Sequence, residues 1–198
     1  MKDIVVITGA GISKASGIPT FEEMGDLRDK LTRDYFSENT KEFYKALLNM
    51  KKTVEKAEPN AAHIALAEYE VPIITMNVDR LHKKAGSKNV LEVHGNLDYV
   101  ICNKCRTIHD FHVVEKSIYC EKCGEVYEPN VVLYGDKIRN YFEAIDLICS
   151  CKRVLVVGTS FYTSTVNDFV NRAHMDGLEI HIINKDSEKE VPRYLKSI

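Results

Sequence analysis

The sequence has no long apolar run, no surplus of one charge, no internal repeat and no linker-like tract, and each absence removes a class of protein. The N-terminal apolar run, Ile4-Val5-Val6-Ile7, is four residues long. That is too short for the apolar region of a secretory signal, and no run approaches the ~18 residues of a membrane span. A cytoplasmic chain is expected. With 27 basic and 29 acidic residues the net charge is −2, so nothing suggests electrostatic docking to nucleic acid or to an anionic membrane. Only 5 prolines and 10 glycines occur in 198 residues, without a low-complexity stretch. One domain with an insertion, or two small ones, is the expectation. Hydrophobic residues at 44% and charged residues at 28% are an ordinary globular balance. Oligomeric state leaves no trace in the composition.

What is present is a recurring pattern. Ile4-Val5-Val6-Ile7 stops at Gly9-Ala10-Gly11, and Val71-Pro72-Ile73-Ile74-Thr75 stops at Asn77. Val90-Leu91-Glu92-Val93 stops at His94-Gly95, Val154-Leu155-Val156-Val157 at Gly158-Thr159-Ser160, and Ile180-His181-Ile182-Ile183 at Asn184. Continuous apolar strands of this kind predict burial on both faces of a parallel sheet. Helical stretches at 61–69, 140–149 and 165–175 fall between them. The alternation predicts a doubly wound α/β fold. In such sheets ligands bind at the carboxyl ends of the strands, where the Gly, Asn, His, Thr and Ser residues collect. Two stretches interrupt the rhythm: a charged helical one and a cysteine-bearing one. The expected organisation is a Rossmann-like domain from 1–21, 72–99 and 128–198, a helical insertion at 22–71 and a ribbon at 100–127.

The cysteines carry the clearest chemistry. Cys102-x2-Cys105 and Cys120-x2-Cys123 are two knuckles fourteen residues apart. In a reducing compartment disulfides are disfavoured, and this spacing suits four thiolates around tetrahedral Zn²⁺. A closed four-cysteine site has no open position, so its zinc is structural. Cys149 and Cys151 read as packed thiols.

Gly9-Ala10-Gly11-Ile12-Ser13 follows the first strand and is expected to open a helix, a place where backbone approaches a pyrophosphate. Lys14 breaks the G-x-G-x-x-G pattern, so the turn alone is weak evidence. Gly158-Thr159-Ser160 is a second such turn, and Asn184 stands where a ribose hydroxyl is within reach. Asn77 and Asp79 sit two apart in a third strand-end turn, which Asn and Asp also favour on their own account. His94 ends a fourth strand. Its side chain suits proton transfer near neutrality, though a packed histidine reads equally well. The other six histidines have no comparable setting.

These residues together resemble one family. Gly9–Ser13, Gly17-Ile18-Pro19-Thr20-Phe21, Pro59–His63, Thr75–Asp79, Leu81-His82, Ala85-Gly86, Val93-His94-Gly95, the four cysteines, Val132–Asp136 and Gly158–Ser160 follow the order of the sirtuins. These are NAD-dependent protein lysine deacylases, and the chain resembles a short bacterial-type member. The resemblance implies NAD and zinc as cofactors and acylated lysine in proteins or peptides as partner. The implied products are nicotinamide, free lysine and O-acyl-ADP-ribose. It implies His94 as the base that deprotonates a ribose hydroxyl, Asn77 at ribose or water, and Asp79 at the nicotinamide amide. Gly9, Ala10, Gly11 and Ser13 would hold the pyrophosphate, with Ile18, Pro19, Phe21 and Met76 beside the cofactor. Gly158, Thr159, Ser160 and Asn184 would hold the adenosine side. Val132, Leu133, Tyr134, Gly135, Phe161 and Tyr162 would line the substrate entry, with an aromatic wall from Tyr134 or Phe161 and the peptide added as a strand between two segments.

The chain departs from the family in four places. Glu22 replaces an arginine, and Met76 replaces a glutamine. Tyr134-Gly135-Asp136 replaces Phe-Gly-Glu, with Arg139 where a proline is usual. Phe161 to Thr165 replaces small apolar residues and a proline. Two further readings therefore stand beside deacylation: NAD cleavage for ADP-ribosyl transfer or hydrolysis, and a non-catalytic sensor of NAD or ADP-ribose.

Overall fold

A computed structural model describes residues 3–20, 22–161 and 164–198. The chain runs through β1 (Ile4–Thr8), a 3-10 helix at Ala10–Ser16 and a second at Gly25–Lys30. It continues through α1 (Arg33–Glu38), α2 (Thr40–Lys56), α3 (Ala61–Glu68), β2 (Ile73–Thr75), α4 (Leu81–Lys84) and β3 (Val90–Glu92). Then come β4 (Gly95–Cys102), β5 (Thr107–Asp110), α5 (Val113–Lys116) and β6 (Glu128–Val131). α6 (Tyr141–Cys149), β7 (Arg153–Val157), α7 (Ser164–Met175), β8 (Glu179–Ile183) and α8 (Ser187–Lys196) complete it.

Five strands form a parallel sheet in the order β3-β2-β1-β7-β8. The chain moves outward from β1 in one direction through β2 and β3. It later returns beside β1 as β7 and moves the other way, so the topological switch point lies between β1 and β7. Helices cover both faces. Ala62 and Leu66 of α3 with Val191 and Leu195 of α8 pack on one face, and Ala144 and Ile148 of α6 with Phe169 and Ala173 of α7 on the other. This is a doubly wound, Rossmann-like arrangement.

The expectation of burial on both faces holds for β1, β2 and most of β7 but fails at the margins. β8 is an edge strand in which only Ile183 is buried, and Ile182 is 48% exposed. β3, the other edge, is half-buried throughout. An apolar run reports what a strand tolerates, whereas neighbours decide what is covered. The helix expected to open at Gly9 is a seven-residue 3-10 helix, closed by Gly17 in a left-handed conformation. α8 escapes sequence reading because it is strongly charged and carries Pro192 internally, leaving Val191, Tyr194 and Leu195 as its apolar contacts.

The small lobe is a second layer of structure. β5-β4-β6 form an antiparallel sheet that begins at Gly95 and ends at Val131, reaching past 100–127 on both sides. α2 presents Phe43, Leu47, Met50 and Val54 at helical spacing. These pack with Phe36, Leu97, Val100, Phe111 and Tyr127 into one apolar cluster. The Tyr44 hydroxyl donates to the Tyr127 carbonyl. The helical insertion and the ribbon thus share one core.

Candidate active site

A cleft of about 1230 Å³ opens along the carboxyl ends of β1, β2 and β7, between the large sheet and the small lobe. At the switch point two backbones touch. Gly11 N–H donates to the Gly158 carbonyl at 2.8 Å. A Cβ on Gly11 would stand 2.7 Å from Gly158 Cα, and one on Gly158 would stand 2.2 Å from Ile12 N. Gly158 also has φ +62°. Only glycine permits this approach, and the result is a cradle of bare backbone lined by Gly9, Ala10, Gly11, Gly158, Thr159 and Ser160. Such a surface fits a dinucleotide's phosphates. Asn184 also faces the cleft. Its Oδ1 accepts the Thr159 N–H at 3.0 Å, which pins the second glycine turn to the end of β8.

The other end of the cleft carries His94, Asn77 and Asp79. His94 is half-buried, with Nε2 3.5 Å from Thr165 Oγ1. Burial lowers its pKa, and a hydrogen bond to the Met76 backbone opposes that without reversing it. The imidazole is therefore neutral at pH 7. Asp79 is buried and raised by desolvation, but its carboxylate is well supplied with donors. Oδ2 accepts from Ser13 Oγ at 2.7 Å and Asn77 Nδ2 at 3.2 Å, and Oδ1 from Leu81 N–H at 2.9 Å.

Behind this lies a layer that the sequence reading passed over. His63 Nδ1 accepts the Asn60 N–H, so the neutral ring carries its proton on Nε2, which faces Ser13 Oγ at 3.4 Å. The run His63–Ser13–Asp79 thus has a defined direction: each donates to the next. Burial holds His63 down to about 4 and His82 down to about 3. His82 packs on His63 with ring centroids 4.8 Å apart and meets Thr8 Oγ1 at 3.0 Å. The only sequence signal for these two histidines was their place in Pro59–His63 and Leu81-His82. Ser13 itself is fully buried, and its hydroxyl serves Asp79 rather than the cleft.

Not every expected residue lines the cleft. Ile18, Pro19, Met76, Val132, Leu133, Tyr134 and Gly135 do. Phe161 lies outside the lining, in a left-handed conformation at φ +60°, packed toward the cluster beneath α7. Its carbonyl accepts from Asn167 Nδ2 at 2.9 Å. Of the two residues expected to form an aromatic wall, Tyr134 lines the cleft and Phe161 does not. Phe21 and Tyr162 lie outside the described residues. One edge of the 132–136 segment is already paired: Tyr134 N–H donates to Leu31 O and its carbonyl accepts from Arg33 N–H, both at 3.0 Å. On the opposite edge Leu133 closes on Asp136, its N–H donating to Oδ2 and its carbonyl accepting the Asp136 N–H, both at 2.9 Å. Arg33 clamps this segment from below through two hydrogen bonds to Asp136, at 2.9 and 2.7 Å, and an ion pair with Glu128 at 2.7 Å.

The four cysteines of the ribbon come together with their sulfurs within 4.8 Å of one another. The knuckles match: Arg106 N–H donates to Cys102 O at 2.7 Å and Gly124 N–H to Cys120 O at 2.8 Å. Arg106 and Gly124 both have left-handed φ, +57° and +73°. Four converging thiols, two of them buried, fit a structural Zn²⁺.

Residues 9–165 match the model of the Sir2 family. The chain belongs to the Sir2 family. An "NAD-dependent protein deacylase 2" of Archaeoglobus fulgidus is 36% identical over 209 residues, covering 93% of this chain and 81% of that protein. An "NAD-dependent protein deacetylase" of Staphylococcus epidermidis is 34% identical over 203 residues, covering 93% and 82%. A solved complex of Sir2 with p53 peptide and NAD⁺ has a TM-score of 0.90 at 28% identity, covering 98% of this chain and 92% of that one. Another, with the inhibitor EX-527, 2'-O-acetyl-ADP-ribose and deacetylated p53 peptide, has a TM-score of 0.87 at 28% identity and covers 98% and 93%.

Within this Sir2 frame two of the departures have visible surroundings. Glu22 is exposed on the cleft wall, next to Glu23, which is held by Lys14 at 2.6 Å and by Thr20 N–H at 2.9 Å. Arg28 is exposed, lies outside the cleft lining and pairs with Asp29 at 3.7 Å. Thr165, in the segment from Phe161 to Thr165, is buried and brings its hydroxyl to His94.

Proposed function

We propose that this chain removes acyl groups from protein lysines in an NAD-dependent reaction, releasing nicotinamide and O-acyl-ADP-ribose. The observation that carries the reading is the layout of one cleft. A bare glycine cradle lies at one end, and a neutral, half-buried His94 beside Asn77 and Asp79 lies at the other. When bound, NAD supplies the labile glycosidic bond to nicotinamide. Gly9, Ala10, Gly11 and Gly158 offer its phosphates backbone without side-chain obstruction, and Thr159, Ser160 and Asn184 serve the adenosine side. Asn77 and Asp79, stiffened by Ser13 and His63, orient groups at the nicotinamide end. His94 accepts a proton at Nε2, the nitrogen that faces Thr165. Gly135, on the edge of this segment away from Leu31 and Arg33, is offered to an extended peptide, so peptide sequence is weakly specified. A neutral acyl-lysine passes Tyr134 toward His94, whereas a free ammonium loses hydration there.

Mass spectrometry of NAD incubated with the protein, with and without an acetyl-lysine peptide, tests this. Peptide-dependent O-acetyl-ADP-ribose is expected. Nicotinamide release that ignores the peptide points instead to hydrolysis or ADP-ribosyl transfer, and no turnover at all points to sensing.

A further inference from the structure

The large sheet has two edges, and they differ. β3 is three residues long, and its Glu92 pairs with Arg80 at 3.0 Å and Lys83 at 3.5 Å. Short length and clustered charge are the usual protection of an edge strand. β8 is five residues long, and Glu179, His181 and Ile182 are exposed. Glu179 N–H donates to the Lys152 carbonyl at 3.0 Å, and the Ile183 carbonyl accepts from Gly158 N–H at 2.9 Å. Residues 179, 181 and 183 therefore turn their backbone groups toward β7. By the alternation of a strand, the N–H and C=O groups of Ile180 and Ile182 point out of the open edge. Among the described residues nothing pairs with these four groups.

The side chains of β8 are arranged about its middle. Ile180 packs into the cluster beneath α7. Ile182, on the same face, is 48% exposed. On the other face Ile183 joins the cluster beneath α3 and α8, and the His181 ring stacks on Tyr194 of α8 with centroids 4.4 Å apart. The ends carry opposite charges: Glu179 begins the strand, and exposed Lys185 follows it.

From this we infer that β8 is a self-pairing edge. Two copies of the chain join by antiparallel β8–β8 pairing about a twofold axis at His181, making one continuous sheet. In that register Ile180 of each copy stands opposite Ile182 of the other and exchanges both N–H···O bonds with it, so every outward backbone group is satisfied. The four isoleucines form a strip on the α7 face, and the two His181 side chains meet at the axis. Glu179 of each copy lies diagonal to Lys185 of the other on the α8 face, within reach of a long side chain. Parallel self-pairing would set like ends together. A second copy is the partner whose charges and backbone groups both match. Asn184, directly after β8, holds Thr159 N–H at 3.0 Å, so the interface and the nucleotide end of the cleft share one strand. The inference does not depend on the reaction catalysed.

Sedimentation velocity of the full chain over a range of concentrations tests it. A strand pair this short makes a small interface, so a reversible dimer that fills as the protein approaches about 0.1 mM is expected. Ile182→Lys adds charge at an already exposed position and, repeated by the twofold axis, should weaken the dimer at least about tenfold without lowering the melting temperature. Lys185→Glu should weaken it as well, and adding Glu179→Lys should restore it. His181→Cys places two thiols at the axis, and a mild oxidant should couple them into a covalent dimer beyond the level seen with the unsubstituted protein. Ile182→Cys should not couple, because Ile180 stands opposite. A monomer at every concentration, or a dimer indifferent to Ile182→Lys, overturns the inference. Coupling through Ile182→Cys as readily as through His181→Cys overturns it too.

Discussion

At the residue scale, the site depends on which groups stay neutral and which keep their charge. Burial favours the uncharged imidazole of His94, and a base works only in that form. Activity is therefore lost as pH falls through a pKa below 6.5, so the acid limb of kcat/KM should have its midpoint below that value. A midpoint above 6.5 would contradict the environment described here. His94→Ala should fold normally and lose at least about 10²-fold in turnover, the usual scale of general base catalysis. Glu22 is the second residue of interest. It lines the cleft from an exposed position, with Arg28 paired to Asp29. Glu22→Arg should tighten NAD binding by roughly 0.5–1 kcal/mol, the range of an exposed ion pair. The gain should fade with added salt. Calorimetry at two ionic strengths checks this; unchanged affinity at low salt would mean that Glu22 points away from the phosphates.

At the scale of elements, the nucleotide end of the cleft is two turns pressed together. Gly158 combines a left-handed φ with the closest approach in the cradle, 2.2 Å from a built Cβ to Ile12 N. Gly17 is left-handed as well, at φ +81°, but a Cβ there meets nothing within 4 Å. The two positions separate strain from contact. Gly17→Ala should cost about 1–2 kcal/mol of stability, the left-handed penalty, with NAD affinity retained. Gly158→Ala adds a clash with backbone that has nowhere to go, and should abolish measurable NAD binding as well as lower the melting temperature. Equal NAD affinities in the two variants would show that the turns separate without consequence. The same scale explains the edge strands. β1 is buried because β2, β7 and two helix layers surround it, whereas β8 has one neighbour.

At the scale of the whole molecule, the ribbon and the helical insertion depend on each other. Their common cluster joins α2, β4 and Tyr127, and Leu47, Met50 and Val54 of that cluster line the cleft. One Zn²⁺ per chain is expected by elemental analysis. Cys102→Ser should lose the metal and melt at lower temperature together, because binding energy at such a site is folding energy. Chelation should also weaken acyl-peptide binding, since Leu31, Val131 and Leu133 are positioned through the same lobe. A chelated protein with unchanged melting and unchanged peptide affinity would show that the thiols are only neighbours.

Sequence patterns of short range determined much of this protein. The apolar strands, the glycine turns that end them and the paired cysteines are all read within a few residues, because backbone conformation and metal-ligand spacing are local properties. Strand ends bearing Gly9, Asn77, His94 and Gly158 located the site before any contact was known, since a parallel sheet gathers those ends on one side. Only the tertiary structure decided the rest. It set the Ser13 hydroxyl on Asp79 and packed a partly buried Phe161 against the cluster beneath α7. It brought His63 and His82 beneath the site from segments 19 residues apart in the chain, and set α2 against the cleft as an apolar wall. Each of these outcomes depends on which side of an element meets which neighbour, and that is a property of packing between distant segments.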